Sequence, residues 1–111
     1  MPRNDQLWTY TAQCLQDSKD WFPDVQLGGI EHHVLALCGE VGELANLTKK
    51  IQRGSLDPSN EKVMTEFRME LADILTYLLV IAGRTSTDLA NAYEVKRTEN
   101  KRRFGSGPRK P

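Results

Sequence analysis

Two pairs of carboxylates are the residues here whose type and spacing could do chemistry. Glu40 and Glu43 enclose Val41-Gly42, and Glu70 and Asp73 enclose Leu71-Ala72. On a helix, a spacing of three sends both side chains off one face, about one turn apart. Both pairs sit among apolar residues: Leu37, Val41 and Leu44 around the first, Leu71, Ile74 and Leu75 around the second. A single i, i+3 acid pair is most often a solvated helix face. Two pairs on helices that must pack together are a different case. Four converging carboxylates cannot all stay ionised unaided near neutral pH, and acids in apolar surroundings need a positive partner. A divalent cation meets that need. Ligands that are all carboxylate oxygens suit Mg²⁺, with Mn²⁺ as the alternative, better than Zn²⁺, which favours His and Cys. A di-iron bundle would need Glu-x-x-His on two helices, and Glu43 and Asp73 hold those fourth positions instead. His32 and His33, just upstream of the first pair, are read as residues of a helix start.

The elements that must carry these acids read as four helices, with no convincing strand. The first opens at Asn4 or Asp5 as N-cap, carries Leu7, Trp8, Thr11, Cys14 and Leu15 at helical spacing, and ends near Trp21 and Phe22 before Pro23. Pro23 to Gly29 is a loop. The second runs from about Ile30 to Arg53, with Ile30, Val34, Leu37, Val41, Leu44, Leu47 or Thr48, and Ile51 on a broad face. Gly39 and Gly42 inside it each cost roughly 1 kcal/mol relative to Ala, which predicts close approach of another backbone or a ligand. Asp57 is expected to cap the third helix with Pro58 in its first position, and Gly83 to end it after Ala82. That helix is apolar on nearly all sides in its second half, as a central helix would be. Ser86 or Thr87 is expected to cap the fourth, whose apolar side holds Leu89, Ala92, Tyr93 and Phe104. The expectation is an all-α four-helix bundle over residues 1–104, followed by a disordered tail over 105–111.

A length of 111 residues supports one core. The composition, 39% hydrophobic and 27% charged, excludes wholesale disorder. The longest apolar run, Ile74 to Ala82, is interrupted by Thr76 and is too short to span a bilayer. The opening Met-Pro-Arg-Asn is followed by no apolar core, so no secretory signal is expected. Two cysteines, Cys14 and Cys38, make no disulfide framework, and a reduced, cytoplasmic protein is expected. The 15 basic and 15 acidic residues cancel, which argues against a nucleic-acid polymer as partner. They are unevenly spread: Lys96 to Pro111 holds seven basic residues and one acid, a charge of +6, leaving −6 on the rest. A basic end of this kind is ordinarily a solvated helix terminus. The alternative is that its cations face something anionic held by the acidic body.

Glu40-Val-Gly-Glu43-Leu-Ala, then 26 residues between Glu43 and Glu70, then Glu70-Leu-Ala-Asp73-Ile-Leu-Thr-Tyr77, resembles the MazG-like all-α nucleoside triphosphate pyrophosphohydrolases. The likeness takes in Asp20-Trp21 upstream, and Lys96 and Asn100-Lys-Arg-Arg103-Phe downstream, and is strongest to the dCTP pyrophosphatase-like branch. The resemblance implies hydrolysis of a nucleoside triphosphate to the monophosphate and pyrophosphate, with water attacking the α-phosphorus. House-cleaning of damaged nucleotides or dNTP pool control would be its purpose. It implies Mg²⁺ held by Glu40, Glu43, Glu70 and Asp73, with Glu40 or Glu43 serving as base. It further implies that Trp21 packs on the base, that Tyr77 meets the sugar or closes the pocket, and that Lys96, Asn100 and Arg103 meet the triphosphate. The spacing of these last three by four and three residues lines them along one face of the fourth helix. Lys50 and Ala12 depart from that branch, which often has an aromatic and a histidine there, so the base is not carried over. Relatives form dimers or tetramers, and a homodimer or homotetramer is expected here to cover the apolar faces. The competing readings are a non-catalytic helical interaction module and a metal-free nucleotide sensor.

Overall fold

A computed structural model describes residues 5–23, 30–105 and 107. The expected cap at Asn4, the loop over 24–29 and most of the expected disordered tail (106 and 108–111) lie outside the described residues. The four helices are α1 (Asp5–Trp21), α2 (Glu31–Gln52), α3 (Glu61–Arg84) and α4 (Leu89–Phe104), and the described residues contain no strand. The fold is all-α, as the helical periodicity predicts. None of these helices is long and apolar enough to cross a membrane.

The central role expected of α3 is met: it packs against α2 on one side and α1 on the other. Its second half supplies Leu79, Val80 and Ala82 to the core, which Leu47 of α2 and Val63 of α3 complete. Gly83 does not end α3. The helix continues through it to Arg84, because the glycine lies where α1 crosses. A Cβ at Gly83 would meet the Leu15 Cβ at 3.2 Å and the Thr11 side chain at 3.5 Å.

Two caps differ from expectation for a shared reason. Asp57 accepts from the backbone N–H and the hydroxyl of Ser59, at 2.9 and 2.8 Å, and so closes its own turn. Pro58 then sits inside a turn closed by the Asn60 N–H donating to the Asp57 carbonyl at 3.0 Å, a position that suits its fixed φ. Asn60 becomes the cap of α3, its side chain accepting from the Lys62 N–H at 2.9 Å. Before α4, Ser86 takes a φ of 53° in the turn, the Thr87 hydroxyl pairs with that of Thr85, and Asp88 caps the helix through the Asn91 N–H at 3.1 Å. In both loops the first polar residues are consumed by the turn, and the last one before the helix caps it.

Within this single chain, α4 packs lightly on α1 and buries none of its residues. Tyr93, on its expected apolar side, is 63% exposed. Leu35, Val41, Met69, Leu71 and Leu75 of α2 and α3 are also exposed. Gly39 and Gly42 have nothing among the described residues within 4 Å of a would-be Cβ, so the close approach expected there does not come from those residues.

Candidate metal centre and adjoining cleft

The packing of α2 on α3 brings the two acid pairs together. One carboxylate oxygen each from Glu40, Glu43 and Glu70 lies within 4.8 Å of the others. Glu40 and Glu70 are half-buried and Glu43 is exposed. One oxygen of Glu40 and one of Glu70 are shut off from solvent with no hydrogen-bond donor reaching them. Asp73, exposed one turn along α3 from Glu70, is not in that trio. It lines a cleft that Glu40 also lines.

The electrostatics follow from the crowding. Loss of water, the charge of Glu43 and the nearness of Glu40 push the Glu70 carboxyl up to about 7. A proton is one way to relieve three converging carboxylates, and a cation is the other. Oxygen-only donors with unsatisfied buried lone pairs are the set a hard divalent cation takes. The residues therefore fit such an ion.

The cleft has a volume of about 310 Å³ and opens between α1, α2 and α3. Glu40 and Asp73 form its acidic end. Trp21, Phe22, His32 and His33 contribute rings, and Tyr77 and Thr76 of α3 complete the wall with Asp17 and Ser18 of α1. Trp21 is 67% exposed at the end of α1, so one face is free to stack. Tyr77 follows Asp73 by one turn and is half-buried. Lys96, Asn100 and Arg103 lie on α4 and are not among the residues lining the cleft. Lys96 meets no carboxylate among the described residues, Arg103 stacks on Phe104 at 5.0 Å, and the neighbouring Arg102 is held by Glu99 at 2.6 Å.

His33 is the residue whose environment the sequence conceals. Read as part of a helix start, it is instead buried, and its Nε2 has no hydrogen-bond partner. One signal was available: His33 precedes Leu37 and Glu40 by four and seven residues, which places all three along one side of α2.

Comparison with known proteins bears on this site. No family model matches the chain, and no solved structure matches it. Among curated proteins, the dCTP pyrophosphatase 1 of Bos taurus and that of Homo sapiens are each 38% identical over 73 residues, covering 64% of this chain and 43% of the relative. That of Mus musculus is 36% identical over 75 residues. The chain is similar to dCTP pyrophosphatase 1. It spans less than half the length of these relatives, which match the dCTP pyrophosphatase-like branch that the acidic motifs resemble.

Proposed function

We propose that the chain hydrolyses a nucleoside or deoxynucleoside triphosphate to the monophosphate and pyrophosphate, in dNTP pool control or removal of damaged nucleotides. The observation that carries this reading is the meeting of Glu40, Glu43 and Glu70 within 4.8 Å beside a cleft walled by Trp21 and Tyr77. The similarity to dCTP pyrophosphatases supports the same chemistry.

Glu40, Glu43, Glu70 and Asp73 would hold Mg²⁺, or Mn²⁺ in its place. When bound, the cation supplies positive charge against the negative charge that builds up on the phosphate oxygens. The protein's part is positioning and proton transfer. Trp21 stacks on the base and Tyr77 lies along the sugar, so the α-phosphorus comes to rest at the acidic end. A carboxylate of Glu40 or Glu43 takes the proton of the attacking water as it adds to the α-phosphorus, and pyrophosphate leaves. Lys96, Asn100 and Arg103 are assigned to the triphosphate tail. Because α4 stands off the cleft within one chain, that assignment goes with self-association, as a homodimer or homotetramer. The exposed apolar residues of α2 and α3 support it. A cytoplasmic setting fits the free thiols of Cys14 and Cys38.

The test is a panel of the eight common NTPs and dNTPs with Mg²⁺, scored for monophosphate and pyrophosphate. Turnover of any to those two products is the expected result. Orthophosphate as the sole product would move the cut to another bond. Binding without turnover of these or of modified bases would leave a nucleotide-binding module.

A further inference from the structure

Among the polar groups of the cleft for which the hydrolysis has no use, His33 is the one that is buried and unpartnered. It retains 4% of its surface, although it stands in the first turn of α2, and its Nε2 is shut off from solvent with no partner. An orphaned buried nitrogen lowers stability, and folded proteins keep few of them without a use. His33 lines the cleft together with Trp21, Tyr77 and Val80. Burial first, then the charges of Arg84 and His32, hold its pKa below the ordinary histidine value. The ring is therefore neutral near pH 7 and offers one N–H donor and one bare nitrogen as acceptor.

Its position along the cleft completes the case. His33 precedes Glu40 by seven residues on α2, and Val80 follows Asp73 by seven on α3. Both separations are two helical turns, about 10 Å. The cleft thus has Glu40 and Asp73 at one end and an imidazole at the other, over about the reach of a nucleotide from its 5′ phosphate to the far edge of its base. We propose that His33 reads the hydrogen-bonding edge of the nucleobase and is the specificity-determining residue of the cleft. The inference rests on the nucleotide reading above. It goes beyond that reading by assigning base choice to one named ring.

Calorimetric titration with the four deoxynucleoside 5′-monophosphates tests it without any turnover. The wild-type chain is expected to bind one base in preference to the others by about tenfold or more, the range in which a site's polar group discriminates. His33→Phe fills the ring's volume without the nitrogens and should bind all four alike. His33→Gln, which carries an amide near the place of Nε2, should keep part of the preference. Should the Phe variant fail to fold, the ring ¹⁵N resonances of His33 in the wild-type chain give the same answer, shifting with the preferred monophosphate. A Phe variant with the wild-type order of affinities, a wild type with no base preference, or unmoved ¹⁵N resonances would overturn the proposal. If the wild type binds selectively but converts no triphosphate, the hydrolase reading falls and the role of His33 stands.

Discussion

Glu70 keeps its proton up to a pH of about 7 in the metal-free chain, against an ordinary value of 4.5. Between those two values the folded state binds more protons than the unfolded chain, so stability falls as the pH rises through that window. The melting temperature without metal should therefore climb on acidification from about pH 8 to 6.5, below which His33, held under its ordinary value of 6.5, acts oppositely, and Glu70→Gln should flatten the climb. Asp57 and Glu99, held below the ordinary range by Ser59 and Arg102 respectively, act oppositely and at lower pH. Their contribution is lost only as the pH drops through their own depressed values, so it does not obscure the window. An ion held by these acids, as proposed, would compete with the Glu70 proton, so the stabilising effect of added Mg²⁺ should strengthen with rising pH across the same range. Glu43→Gln removes one of the three charges. It should cost about 100-fold or more in kcat/KM for the best triphosphate, on the scale of losing a group that acts at the transition state. The metal-free melting temperature should hold or rise, because the repulsion on Glu70 is relieved.

The helices themselves are legible in the sequence because their periodicity and capping chemistry are local. Where the sequence reading departs from the structure, a neighbouring residue or helix intervenes. Asp57 looks like a cap, but Ser59 takes its carboxylate, and Asn60 does the capping. Asp88→Ala should cost about 1 kcal/mol in denaturant unfolding, as the loss of a true N-cap does, and Asn60→Ala about the same. Gly83 reads as a helix stop, yet it lies inside α3 because Leu15 of α1 needs the space. Gly83→Leu should destabilise by about 1–3 kcal/mol through overpacking at that crossing. A variant as stable as the parent would mean that α1 does not cross there.

The whole chain is wider than its length suggests. Its Cα radius of gyration is 17.1 Å, where a compact domain of this size has about 13 Å. Leu79 is the one large side chain buried below 2% among the described residues. The open face, with Leu35 72% exposed on α2 and Leu71 47% on α3, is the surface that the proposed self-association would cover. Light scattering should give a mass two or four times the 12.6 kDa of one chain. The double change Leu35→Lys and Leu71→Lys should reduce it to the single-chain value, with triphosphate turnover falling alongside because α4 of one chain does not line its own cleft.

By itself, the sequence determined that the chain is helical, that α3 is central, and that two acid pairs sit on helices that must meet. Each of these follows from residue spacing, which a helix converts directly into direction. Tertiary structure alone decided which acids converge. The rotation of each helix about its own axis depends on its neighbour, and it brings Glu40, Glu43 and Glu70 together while Asp73 joins Glu40 along the cleft. It also decided that His33 is buried, because packing against neighbouring elements covers a residue that its own helix, in isolation, would leave in water.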